Sequence, residues 1–170
     1  FQQAERSGSE SKFDDRPAIA VLPFDNLSAD SEQAFFADGL AEDLITRLSS
    51  WRAFPVIARN SSFQYRGGNL DLKRVSSELG ARYLVEGSVR RAGDRIRVTA
   101  QLVDSLTGKH IWAEKYDRVV EDIFEVQEEV TRAIVTAIAP QIDSAERERT
   151  QRRRPESLSA YEIAVRAYAN

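Results

Sequence analysis

A single histidine, His110, and no cysteine leave this 170-residue chain few routes to side-chain chemistry. A zinc site would have to combine carboxylates with that one imidazole, an uncommon donor set. A histidine-based triad would depend on the same residue. His110 instead reads as an ordinary strand residue near a hairpin. The acidic pairs Glu42-Asp43, Glu121-Asp122 and Glu128-Glu129 are neighbours in sequence on expected helices. Adjacent helical side chains point about 100° apart, so such a pair does not face one substrate as acid and base. Charge at a helix start or on a solvated face is the simpler role. Gly67-Gly68 lacks the spacing of a phosphate loop and the Lys-Ser that would follow it, and reads as a turn. Neither Asn26-Leu27-Ser28 nor Asn60-Ser61-Ser62, which have the form of glycosylation triplets, is taken as more than chance. The chain reads as a binding or sensing module, not an enzyme, and no cofactor or metal is expected.

The polar stretch at 58–66, ARNSSFQYR, is the best candidate for binding. It leaves the C-terminal end of an expected strand, where open α/β sheets line ligand crevices. Asn26, just after the first strand, is expected nearby. Asn26, Arg59, Asn60, Ser61 and Ser62 are therefore the candidate ligand- or partner-binding residues. The competing account has Asn60 and the serines capping the loop and its helix while Phe63 plugs the core. Arg90, Arg91, Arg95 and Arg97 cluster around a hairpin. Single-stranded nucleic acid uses basic patches interleaved with aromatics, but none interleaves here and the net charge is -3. A solvated, charge-paired sheet edge is expected, and no nucleic-acid partner. The basic run RERTQRRR at 147–154 has the charge to touch anionic lipid or nucleic acid, but reads more simply as a solvated linker.

Those residues must be carried by a framework that the hydrophobic pattern outlines. At 42% hydrophobic and 30% charged, the chain has enough apolar residues for one full core, with an appended fragment. No apolar run approaches the roughly 18 to 20 residues of a membrane span, so direct membrane insertion is not expected. The chain begins at Phe1 and lacks methionine, and so reads as a piece of a longer polypeptide. Residues 1–16 are polar and aperiodic, a linker. The apolar run at 18–22 between Pro17 and Pro23 suits a central strand. Asp30 is a plausible N-cap, with Gln33 at the capping-box position, for an amphipathic helix at 31–50 carrying Phe36, Leu40, Leu44 and Leu48. A short strand at 54–58 holds Pro55 and so belongs at an edge. Leu70, Leu72, Val75 and Leu79 mark a short helix that Gly80 ends.

A three-stranded meander spans 82–118. In its middle strand Ile96, Val98, Ala100 and Leu102 alternate with Arg95, Arg97, Thr99 and Gln101. A long helix at 121–139 follows, with Ile123, Val126, Val130, Ile134 and Ile138 on one stripe, and Pro140 kinks or restarts it. Pro155 breaks the basic run, and 157–170 starts another helix with Tyr161, Val165 and Tyr168 at helical spacing. Helical crossovers imply parallel pairing of the first three strands, and tight turns imply an antiparallel fourth. The expected architecture is three layers, with helices on both faces of a five-stranded mixed sheet.

The phrases IAVLPFDNLS, FFADGLAEDLITRLS, VIARNSSFQYRG and LGARYLVEGSVRRAGDRIRVTAQLVDSLTGKHIWAEKYDR resemble the TolB amino-terminal-like domain. The resemblance covers 18–142 and so most of the chain. It implies a three-layer α/β sandwich like the anticodon-binding domain, with a five-stranded mixed sheet in order 2-1-3-4-5 and strand four antiparallel. In that family the domain follows a class III adenylyl cyclase domain or a winged-helix DNA-binding domain, and tetratricopeptide repeats come after it. The tail SLSAYEIAVRAYAN resembles the opening helix of such a repeat. The implied organisation is a linker (1–16), the TolB-like domain (17–146), a basic linker (147–156) and the start of a repeat helix (157–170). The implied role is a non-catalytic regulatory or protein-interaction domain of a bacterial signalling protein, most simply an adenylyl cyclase with C-terminal repeats. A small-ligand sensor and an accessory domain of a winged-helix regulator are the alternatives. Partners would be the parent's catalytic domain and its repeats, with self-association through the C-terminal helix. Direct fusion to a cyclase domain implies the cytoplasm, and a preceding membrane span the periplasm.

Overall fold

The computed structural model describes residues 16–28, 30–67 and 69–169, with side chains as far as Gln151. In chain order the elements are β1 (Ala18–Val21), β2 (Asp25–Asn26), α1 (Glu32–Trp51), α2 (Arg59–Ser62), α3 (Leu72–Leu79), β3 (Ala81–Ala92), β4 (Arg95–Asp104), β5 (Lys109–Val119) and α4 (Ile123–Ala169). The sheet has five strands in the order β1-β3-β4-β5, with β2 pairing β3 beyond the end of β1. β1 and β2 run parallel to β3, and β4 runs antiparallel to β3 and β5. This is the expected mixed α/β sheet with its antiparallel fourth member.

One strand differs from expectation. The segment at 54–58 lies beside β1, where the order 2-1-3-4-5 puts it, but makes only one parallel bridge, Ile19 to Val56. Two hydrogen bonds flank the bridge, from Ile19 N to the Pro55 carbonyl (2.9 Å) and from Ile57 N to the Ile19 carbonyl (2.8 Å). Pro55 has no N–H to give to a longer ladder, and the chain turns into α2 at Arg59. The fifth strand is instead Asp25–Asn26, because β3 is twelve residues long and offers partners past Val21.

The helices form where apolar residues recur every four positions. Phe36, Leu40, Leu44 and Leu48 of α1 are all buried, as are Val126, Val130, Ile134, Ile138 and Ile142 of α4. Each such fully buried side chain contributes roughly 1.5–3 kcal/mol of transfer free energy. Both stripes meet the same sheet face, on Ile19, Val21, Tyr83, Val85, Ile96, Val98 and Leu102. On the opposite face α3 lays Leu72 and Leu79 over Ala20, Leu84 and Val103. Helices therefore cover both faces, but the second only at one end. Beyond Leu84 the outward face of β3, β4 and β5 is bare and mostly polar.

Local ends differ in detail from the sequence expectation. The Asp30 carboxylate accepts from Glu32 N at 2.9 Å and so starts α1. Gln33 completes no capping box: its side chain is buried and its Oε1 has no partner. At the far end Arg52 adopts φ 61, and Arg16 donates to the carbonyls of Arg52 and Ala53, 2.9 Å each. Pro140 neither ends nor restarts α4, which is assigned without interruption from Ile123 to Ala169. A proline removes one backbone hydrogen bond, and Ile138 and Ile142 hold the helix on the sheet on either side. Residues 147–156, expected as a linker, continue the same helix. The stripe of Tyr161, Val165 and Tyr168 lies outside the described side chains.

Candidate functional site

The five residues singled out from sequence are placed by three elements. Asn26 ends β2, where its Oδ1 accepts from Ser28 N (3.0 Å) and its Nδ2 donates to the Asp30 carbonyl (3.0 Å). Its amide thus shapes the turn into α1. Arg59 opens α2 and meets Glu42 of α1 at 2.5 Å, with its guanidinium carbon 4.6 Å from the centre of the Phe63 ring. Ser62 is fully buried, and its hydroxyl donates to the Arg59 carbonyl at 3.4 Å. Asn60 and Ser61 are exposed. Arg66 grips Asp38 with two hydrogen bonds of 3.1 and 3.2 Å and lies 5.5 Å from the same ring.

The structure therefore gathers Arg59, Ser62 and Phe63 into one plug fastened to α1 through Glu42 and Asp38. Among the described residues no hydrogen bond or ion pair joins Asn26 to the other four. The acidic neighbours also part company as helix geometry requires. Glu42 faces Arg59 while Asp43 accepts from Gln127 (2.8 Å). Glu128 pairs with Arg132 while Glu129 takes two hydrogen bonds from Arg118. Asp122 accepts from Phe124 N at 3.0 Å at the start of α4. Among the described residues no group of three or more His, Asp or Glu could hold a metal ion.

A buried polar cluster that sequence reasoning missed sits at the other end of the sheet. Tyr83 and Asp104 face each other across β3 and β4. Arg149 Nη2 donates to Asp104 Oδ2 at 2.8 Å, with side-chain exposures of 15% and 7%. The Tyr83 hydroxyl donates to Glu146, which Arg82 approaches at 3.7 Å. Asp104 Oδ1 also accepts from Leu106 N at 3.0 Å. The signal was present: the α4 stripe, carried four and then seven residues past Ile142, lands on Glu146 and Arg149. The basic run at 147–154 conceals it, because such charge runs are ordinarily solvated. Arg149 Nη1 is left without a hydrogen bond, 3.9 Å from the nearest Glu146 oxygen, but the remaining contacts clamp α4 to the sheet.

Burial, then the hydrogen bond to Glu146, push the Tyr83 hydroxyl well above its ordinary value. Its folded pKa being raised, the stability it contributes is full below pH 10.0, the ordinary value, and is lost as pH rises beyond that. Ionisation would set a second negative charge beside Glu146. Tyr83→Phe should start about 1 kcal/mol less stable at neutral pH through the lost hydrogen bond. Above about pH 10 it should then lose stability less steeply than the wild type. Melting curves of both proteins across the alkaline range measure this, and parallel curves would refute it.

With this geometry in place, comparison with known proteins assigns the domain. Residues 15–133 match the family model described as "HilA/YgeH-like transcriptional regulator, second domain". The chain belongs to this family. It is also 55% identical over 152 residues to a protein of Rhizobium meliloti (strain 1021) named "Putative adenylate cyclase 3". That alignment takes in 89% of the chain but 26% of the Rhizobium protein, so the chain spans about a quarter of that relative. Among solved structures it is similar to TolB from Acinetobacter baumannii, with TM-score 0.52 and 22% identity over 74% of this chain and 29% of that one. It is similar as well to lipoprotein GNA1162 from Neisseria meningitidis, with TM-score 0.52 and 20% identity over 72% and 96%. At such identities the two structures speak for the fold alone, and that fold is the TolB-like one that the sequence phrases resemble. The clamp residues Glu146 and Arg149 lie beyond the stretch that the HilA/YgeH-like family model matches.

Proposed function

We propose that this HilA/YgeH-like second domain is a non-catalytic regulatory and protein-interaction module of a larger bacterial signalling protein, an adenylyl cyclase with C-terminal repeats. The observation that carries the reading is the 55% identity to a segment forming only 26% of a protein named as an adenylate cyclase. Three-quarters of that relative is left to hold a catalytic domain. The partners on this reading are the catalytic domain and the repeats of the same polypeptide, and fusion to a cyclase domain puts the module in the cytoplasm. A second reading, an accessory domain of a winged-helix transcription regulator, draws on the description of the matching family.

Two measurements test the proposal. The isolated chain should form no cyclic nucleotide from ATP or GTP with magnesium or manganese. Turnover that survives purification and disappears on a point mutation in this chain would overturn it. In the full-length parent, deleting the domain should leave a turning-over catalytic domain whose rate no longer responds as the intact protein does. An unchanged rate and unchanged response would also count against a regulatory role.

A further inference from the structure

The bare end of the meander carries charge that the fold does not neutralise. Arg90 and Arg97 stand directly opposite each other on β3 and β4, with Asp117 of β5 next in the same row. The following row is Ala92, Arg95 and Val119. Like charges on directly opposed strand positions repel, and here only one of the pair is answered. Arg97 gives Asp117 two hydrogen bonds of 2.7 and 3.1 Å. Arg90 and Arg95 make no side-chain hydrogen bond or ion pair among the described residues, whereas most other described arginines are engaged. The charge-paired edge expected from sequence is thus only partly paired.

These residues also enclose space. A crevice of about 390 Å³ opens between them, within the roughly 300–1,000 Å³ of small-molecule sites. Ala92 and Val119 give it an apolar floor, and Val119 is one of few large aliphatic side chains left more than half exposed (53%). Two guanidiniums without a hydrogen-bonded carboxylate, above an apolar floor, suit a ligand with two negative charges at one end and an apolar body at the other. Guanidinium takes phosphate and carboxylate in paired hydrogen bonds. Asp117, held ionised by Arg97, can accept a hydrogen bond from a ligand hydroxyl or amine.

We propose that the crevice at the β3–β4 hairpin end is a binding site for a small organic dianion, a phosphate monoester or dicarboxylate with an apolar body, held by Arg90 and Arg95. This assignment does not depend on which parent protein carries the domain.

Titration of the ¹⁵N-labelled full chain with phenyl phosphate, inorganic phosphate, adenosine 5′-monophosphate and benzyl alcohol tests it. Phenyl phosphate should shift the amides of Arg90, Ala92, Arg95 and Val119 saturably. It should bind at least about tenfold more tightly than inorganic phosphate, which lacks the body, while benzyl alcohol leaves those amides unmoved. Tighter binding of adenosine 5′-monophosphate than phenyl phosphate would support the site and identify its natural ligands as nucleotides. Arg90→Gln with Arg95→Gln should weaken phenyl phosphate binding at least about tenfold with the melting temperature unchanged or higher, since a repulsion is removed. Absence of saturation by about 10 mM, equal affinity for inorganic phosphate, or unaltered binding by the double variant would overturn the proposal. So would a glutamate-rich peptide that binds the same amides more tightly, which would reassign the surface to a protein partner.

Discussion

Replacing Gly87 with valine is expected to lower the stability of this domain by about 3 kcal/mol. Gly87 lies mid-strand in β3, paired with Ala100, and the Phe24 ring covers it. A Cβ there would stand 2.1 Å from the Thr99 carbonyl oxygen and 2.7 Å from the Phe24 ring. Backbone cannot yield as a flexible side chain can, so either the β3–β4 ladder opens or Phe24 leaves the core. Overpacking of this kind costs about 3 kcal/mol or more, a large part of the 5–15 kcal/mol that typically stabilises a domain. In a chain of this length the midpoint should fall by at least about 8 °C. Gly93→Ala is the control. Gly93 has φ 62 but nothing within 4 Å of an added Cβ, so only backbone strain of about 1 kcal/mol applies. Thermal melts of the two variants decide the matter, and equal losses would show that crowding at Gly87 is not the cause.

The second large effect belongs to the clamp. Arg149→Met leaves Asp104 buried, with 7% side-chain exposure, and without its cation. Breaking a buried pair from one side costs about 3–5 kcal/mol. The lower figure is expected, because Asp104 retains the hydrogen bond from Leu106 N. Adding Asp104→Leu to Arg149→Met should restore most of the loss, since apolar residues of similar volume replace buried pairs at little cost. Urea unfolding of the wild type, both single variants and the double variant yields the coupling energy directly. Additive losses would mean that the two residues do not act as a pair. Because Arg149 lies far along α4, the experiment also shows that the helix past Pro140 belongs to the folded unit.

Much of the framework was legible because its causes are local. Period-four stripes in α1 and α4 and the period-two alternation of β4 are short-range patterns, and each predicts its own buried face. The spacing of the acidic pairs was enough to show that their members diverge. Pro140 misled because proline's local effect is real, but Ile138 and Ile142 on the sheet outweigh the loss of one hydrogen bond. Gln33 misled in the same way: it sits at a capping position in sequence, yet the packing of α1 buries it.

What the sequence determined by itself, then, was the place and type of most of the main elements, the parallel and antiparallel sense of their pairing and the resemblance to a TolB-like domain. Connection length and apolar period carry that information along the chain. The tertiary structure alone decided which residues meet. Tyr83 and Glu146 are 63 positions apart, and Asp104 and Arg149 are 45 apart. Nothing local links them until α4 lies on the sheet. The same holds at the hairpin, where four arginines were visible as a cluster but their fates were not. Strand register sets Asp117 beside Arg97 and leaves Arg90 and Arg95 without a hydrogen-bonded carboxylate. Register is a long-range outcome of burying one face of the sheet, and a slip of one residue would have exchanged every partner.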